Sequence, residues 1–134
     1  MAQNLSLDAA WEKQISPQDR NLVETTFAET KAALYDLNEY TYLRHDVNHD
    51  QALLVLVLVH NWSEIPKKTT DETLVCLNEK QEEVARHSFS FPFQLSAKTS
   101  TPWTLIFPKG TYQHDLKKQQ NLVVHSVSRD YESN

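Results

Sequence analysis

Residues 52–62 read ALLVLVLVHNW, and the first eight of them are apolar in a chain that is otherwise polar and acidic. A run of eight falls far short of the ~20 apolar residues that a membrane helix requires. Read as a strand, it puts Leu54, Leu56, Leu58 and Trp62 on one face and Leu53, Val55, Val57 and Val59 on the other. A strand with one wet face alternates apolar and polar residues, whereas this one is apolar on both. It is therefore expected to be a central strand covered on both sides. One cover would be an opposing sheet, and the second must come from elsewhere.

The candidate for the second cover lies upstream. In SPQD (16–19), Ser16 can cap free backbone N–H groups, Pro17 suits the first helical position, and Asp19 completes an approximate capping box. Behind it, RNLVETTFAETKAALYDL places Leu22 or Val23, Phe27 and Leu34 at helical spacing, with Ala28, Lys31 and Tyr35 beside them. The spacing predicts an amphipathic helix over about 17–36, with Thr25, Thr26 and Thr30 weakening its propensity. Phe27 and Leu34 would pack on one of the two alternating sets of the central strand. A dimer interface is the competing cover for that face.

From Tyr40 onward the helical period disappears. Segments rich in Val, Thr and aromatics, at 40–47, 52–62, 73–78, 83–93, 102–108 and 121–131, are separated by polar clusters such as VNHDQ, NEKQEE and SAKTS. Such spacing predicts a mainly β fold, an antiparallel immunoglobulin-like β-sandwich of six to seven strands with the helix at its N-terminal end. The reading is one domain over 1–134, with the N-terminal segment and helix in 1–36 and the sandwich in 39–131. In ARHSFSFPF, Ala85, His87, Phe89, Phe91 and Phe93 share one face, and in WTLIFP, Trp103, Leu105 and Phe107 do. Trp62 and Trp103 both fall in the inward phase, and a fully buried indole of that kind would cost roughly 3–5 kcal/mol on truncation to Ala. Gly110 is the only glycine, so most turns must use Asn, Asp, Pro or Lys.

Composition narrows the partners. The net charge of −5 argues against nucleic acid, and the densest basic stretch, KGTYQHDLKK, is diluted by an Asp. Cys76 is the single cysteine, which excludes an intramolecular disulfide and suits a reducing compartment. The stretch MAQNLSLDAAWEKQ shows neither the basic nor the apolar region of a secretory signal. A cytoplasmic, soluble protein is expected.

The search for chemistry returns little. Without a glycine-rich loop, phosphate-cradling motifs are excluded. Cys76 between Val75 and Leu77 reads as a buried structural thiol, with His60, His87 and His125 as the candidates for a Cys–His pair. His45 and His49, flanked by Asp46 and Asp50, have the i, i+4 spacing that would converge on a metal if helical. Here it falls at a strand end and a turn, where it does not. Trp11, Trp62, Trp103, Phe89, Phe91 and Phe93 are candidate pocket aromatics, though core packing accounts for them more simply. No catalytic, cofactor-binding or metal residues are assigned, and no interaction surface.

Four segments taken in order carry a resemblance: DAAWEKQISPQDRNLVETTF, LVLVLVHNWSEIP, LVCLNEKQEEVARHSFSF and STPWTLIFP. Together they resemble the SLAP domain of Gram-positive bacteria, found in accessory-Sec S-layer assembly proteins and in small stand-alone relatives. Trp11, Ser16, Asn61, Val84, Ala85, Arg86, Phe89, Pro102, Trp103 and Phe107 fall on that pattern, from about residue 9 to 109. His60 stands where an Arg is usual, and the glycine customary before the Pro-Trp strand is missing. The resemblance implies a non-enzymatic cytoplasmic protein, one that in some members helps an accessory SecA motor export S-layer proteins. The expectation is thus a non-catalytic interaction module with a protein partner, no cofactor, no nucleic acid and no membrane span. A homodimer remains open, as do two further readings: a ligand-binding or enzymatic sandwich with an aromatic-lined pocket at His60 or His87, and an extracytoplasmic adhesive module.

Overall fold

The computed structural model describes residues 3–7, 13, 15–32, 39–67, 71–90, 94–113, 116 and 121–127. In chain order the elements are β1 (Asn4–Leu5), α1 (Pro17–Ala32), β2 (Tyr40–Val47), β3 (Leu53–Asn61), β4 (Asp71–Leu77), β5 (Glu83–Ser90), β6 (Thr99–Phe107) and β7 (Val123–Val127). They form two sheets, β1-β6-β3-β2 and β5-β4-β7, antiparallel except for the parallel β1–β6 pair. The chain crosses from the first sheet to the second after β3, returns after β5, and crosses again after β6. This is the mainly β, immunoglobulin-like sandwich that the alternation predicts, with β1 as an addition that its two residues could not announce.

The strand quoted first is central, as its two apolar faces require. Leu53, Val55, Val57 and Val59 face the second sheet and join Leu74, Cys76, Val84, Ala85, Leu105, Phe107 and Val124 in the main core. Leu56 and Leu58 face the other way and are covered by Val23 of α1, with Leu22 and Phe27 packed around them. Val23 is fully buried, so it anchors the helix, and Phe27 is a flanking contact. The helix therefore sits on the Leu56 and Leu58 set. Leu34 and Tyr35 of the expected stripe lie outside the described residues, and no helix among the described residues is long and apolar enough to cross a membrane.

The helix start is built as the residues dictate. Ser16 Oγ accepts the Asp19 N–H at 3.0 Å, and Arg20 N–H bonds the Ser16 carbonyl at 2.9 Å. The Asp19 carboxylate takes both arms of the Arg44 guanidinium, at 2.8 and 3.0 Å, pinning the first turn of the helix to β2.

Two hairpins use one turn. Asn48 N–H bonds the Ala52 carbonyl, Gln51 N–H bonds the Asn48 carbonyl, and Asn48 Oδ1 accepts from Asp50 and Ala52. Asn78, Gln81, Lys80 and Glu82 repeat this pattern. Gln51 and Gln81 take positive φ, 62° and 63°, so glutamine holds the left-handed position that glycine usually fills. In β5 a bulge opposite Cys76 and Leu77 turns both Val84 and Ala85 inward.

The expectation for the tryptophans is corrected. Trp62 lies one residue past β3, and Trp103 is half-buried, packed against the margin of the main core. Neither contributes the full stabilisation of an enclosed indole, because part of each ring stays in water.

Val23→Ala should lower stability by roughly 2 kcal/mol, from two lost methyl groups and the cavity they leave, read as a shifted denaturant midpoint. Removing residues 1–36 uncovers Leu56 and Leu58, and the shortened protein should self-associate in sedimentation velocity. A monomer with an unchanged melting temperature would show that α1 is no cover.

Candidate functional site

Except for His45, the buried polar residues among those described collect at one end of the first sheet. His60, the last helix-side residue of β3, is 1% exposed and its ring is bonded at both nitrogens. Nδ1 meets Ser100 Oγ at 2.6 Å and Nε2 meets Thr41 Oγ1 at 2.7 Å. Each hydroxyl can donate or accept, so the neutral ring is satisfied in either tautomer. Burial lowers its pKa to about 4. Trp62 stacks on the ring at a centroid distance of 4.6 Å.

The next residue ties loops to the sheet. Asn61 Nδ2 shares its protons among the carbonyls of Ile65, Leu95 and Ser96, at 2.9, 3.2 and 3.0 Å. Its Oδ1 accepts from the Ser63 N–H and hydroxyl, at 3.1 and 2.7 Å. Gln3, beside β1, donates from Nε2 to the Asn61 carbonyl and to Ser100 Oγ, at 3.0 and 3.1 Å. Its Oε1 is buried and has no partner among the described residues. Three side chains thereby join the N-terminal segment, β2, β3, β6 and the loops at Ile65 and Ser96.

Beside this network lies a half-open cleft of ≈ 180 Å³, walled by Ser6, Gln94, Ser96, Thr99, Thr101 and Trp103. Its lining is hydroxyl, amide and indole with Leu95 among them, and holds no charged group.

The other candidate residues stay apart. Cys76 sits in the main core, and burial pushes its thiol up to about 12, which keeps it protonated and unreactive at neutral pH. No hydrogen bond joins it to His60, His87 or His125. His60 lies on the helix side of the other sheet, His125 is exposed on β7, and His87 meets Phe89 edge-on at 5.0 Å. His45 turns inward and bonds the Tyr42 hydroxyl at 2.5 Å through Nδ1, while His49 stands exposed in the turn beside Asp50. The two imidazoles do not converge, and no group of three metal-ligating side chains occurs among the described residues. Phe89 packs edge-on to Phe107 at 5.1 Å in the core, away from Trp62. Trp11, Phe91 and Phe93 lie outside the described residues. Sequence reasoning missed Gln3, Thr41 and Ser100, whose roles depend on strand register and have no local signature.

These features define an immunoglobulin-like sandwich whose buried polar residues knit strands and loops together. The SLAP domain family model matches residues 5–126, and the chain belongs to this family. The match extends past residue 109 to take in most of β7, beyond the stretch that carries the resemblance. Neither the curated proteins nor the solved structures provide a match. The residues on the family pattern have visible tasks here: Ser16 caps α1, Asn61 clamps two loops, Val84 and Ala85 form the bulge, and Phe89 packs on Phe107. In the loop before the Pro-Trp strand, Lys98 adopts φ 51° and its N–H donates to the Ser63 carbonyl.

The depressed His60 pKa fixes a pH dependence. Between the unfolded value of 6.5 and the folded value of about 4, the unfolded chain binds the proton and the folded one does not. Stability is therefore full above pH 6.5 and falls as pH drops towards 4, by about 2–3 kcal/mol at pH 4.5. Denaturant melts of wild type and His60→Gln at pH 7.5 and 4.5 should show the loss shrinking by that amount in the variant.

Proposed function

We propose that this protein is a non-catalytic, cytoplasmic interaction module that binds another protein. The observation that supports it is that the buried, chemically capable side chains among the described residues serve the scaffold. His60 is neutral and bonded at both nitrogens, Cys76 is a core thiol, and His45 is tied to Tyr42. A nucleophile needs a base within hydrogen-bond reach, and a general base needs access to a substrate proton. None of these three groups meets either requirement. The acidic surface speaks for a protein over a nucleic acid as partner. Through the resemblance to accessory-Sec proteins, the partner is assigned to protein export or envelope assembly.

The test is affinity capture from the native cell, followed by mass spectrometry and reciprocal purification with the captured protein as bait. The expected result is a stoichiometric protein partner recovered from the cytoplasmic fraction. Recovery of this protein from the extracellular fraction, or the failure of every candidate to co-purify reciprocally, would overturn the proposal.

A further inference from the structure

Among the described residues, the outer edge of β6 is paired only at its start. Ser6 N–H bonds the Ser100 carbonyl at 2.8 Å, so Ser100 turns its backbone groups outward, away from β3. In an antiparallel ladder the direction alternates. Thr101, Trp103, Leu105 and Phe107 therefore bond β3, while Pro102, Thr104 and Ile106 point to the edge. His60 N–H bonding the Glu39 carbonyl on the β2 side agrees with this phase.

β1 occupies that edge only opposite Thr99 and Ser100. The next rung of a parallel ladder would run from the N–H of residue 102 to the Ser6 carbonyl, and Pro102 has no N–H to give. The pairing ends there. Beyond it, the outward groups of Thr104 and Ile106 have no strand partner among the described residues, and Ile106 is 53% exposed. The uncharged cleft opens beside this point, and Trp103, one of its walls, immediately precedes Thr104.

We propose that a partner protein docks here by adding an extended, uncharged segment to β6 in the line that β1 vacates, beginning at Thr104, with one side chain seated in the cleft against Trp103. Main-chain hydrogen bonds to an open edge supply affinity, and a pocket for an alternate side chain supplies selectivity. The occupant is uncharged because the cleft presents hydroxyls, an amide, an indole and Leu95, with no charged group. β1 shows that this edge accepts a parallel strand. The proposal rests on the interaction reading above and adds where and how the partner binds.

Two measurements test it. In the free protein, the amides of Thr104 and Ile106 should exchange with solvent at least tenfold faster than those of Trp103 and Leu105. A phage-displayed random dodecapeptide library should then yield uncharged, strand-forming sequences. A synthetic peptide from that selection should slow exchange at Thr104 and Ile106, and Thr104→Pro should weaken its binding at least tenfold. Slow exchange at both positions in the free protein overturns the proposal, as does a selection that enriches nothing or a peptide that leaves both amides unprotected. Because the exchange data come from the wild type, they decide the matter even if Thr104→Pro fails to fold. A cellular partner that binds Thr104→Pro as tightly as wild type overturns the edge assignment alone and leaves the interaction reading standing.

Discussion

Neither face of β3 can be left in water, and most of the architecture follows from that constraint. Leu53, Val55, Val57 and Val59 need an opposing sheet, which β4, β5 and β7 supply, and Leu56 and Leu58 need a cover that no sheet provides. At ~25 cal/mol per Å² of apolar surface, leaving either set exposed would cost several kcal/mol, comparable to the whole stability of a small domain. The helix is thus part of the core, fixed by Val23 from below and by the Asp19–Arg44 pair at its first turn. That ion pair is partly exposed, so it orients the helix more than it stabilises it.

The margins of the two sheets are governed by a second constraint, that unpaired strand edges invite association. β5 is partly covered by the chain after β6, where Thr111 accepts from Arg86 and Gln113 donates to Val84. β2 carries an irregularity in its pairing between Tyr42 and Arg44, which breaks a flat edge. β6 has β1 over one end and Pro102 to stop further pairing at that point. Pro102 serves two purposes: its ring is fully buried, and its missing donor faces outward where no rung forms.

Sheet class, central strand and helix cap were legible because each is written in local pattern. Two-sided hydrophobicity located β3, single-sided alternation oriented β5 and β6, and Ser-Pro-x-Asp marked the start of α1. What was not legible depended on register. Nothing near Gln3 or Ser100 in sequence announces that they will meet beside the end of β3, since they lie 97 residues apart. The Trp103 environment was misjudged for a related reason. Alternation gives the side of a sheet on which a residue lies, whereas burial depends on how far the opposite sheet extends over it. The cleft at Trp103 is where that cover ends.

The paired Asn-x-x-Gln turns bear on the unfolded chain as much as on the folded one. A glycine at the left-handed position would relax the turn but widen the range of conformations open to the denatured backbone. With one glycine in 134 residues, this sequence accepts mild torsional strain at Gln51, Gln81 and Lys98. In exchange its disordered ensemble is narrower, and the Asn48 and Asn78 side chains can draw each loop into its bend before the strands meet. Hairpin register is then encoded within five residues at each site, Asn48–Ala52 and Asn78–Glu82, so β2–β3 and β4–β5 can assemble as independent units. Closure of the sandwich is left to the long-range pairing of β3 with β6, the slow kind of step in folding a β protein.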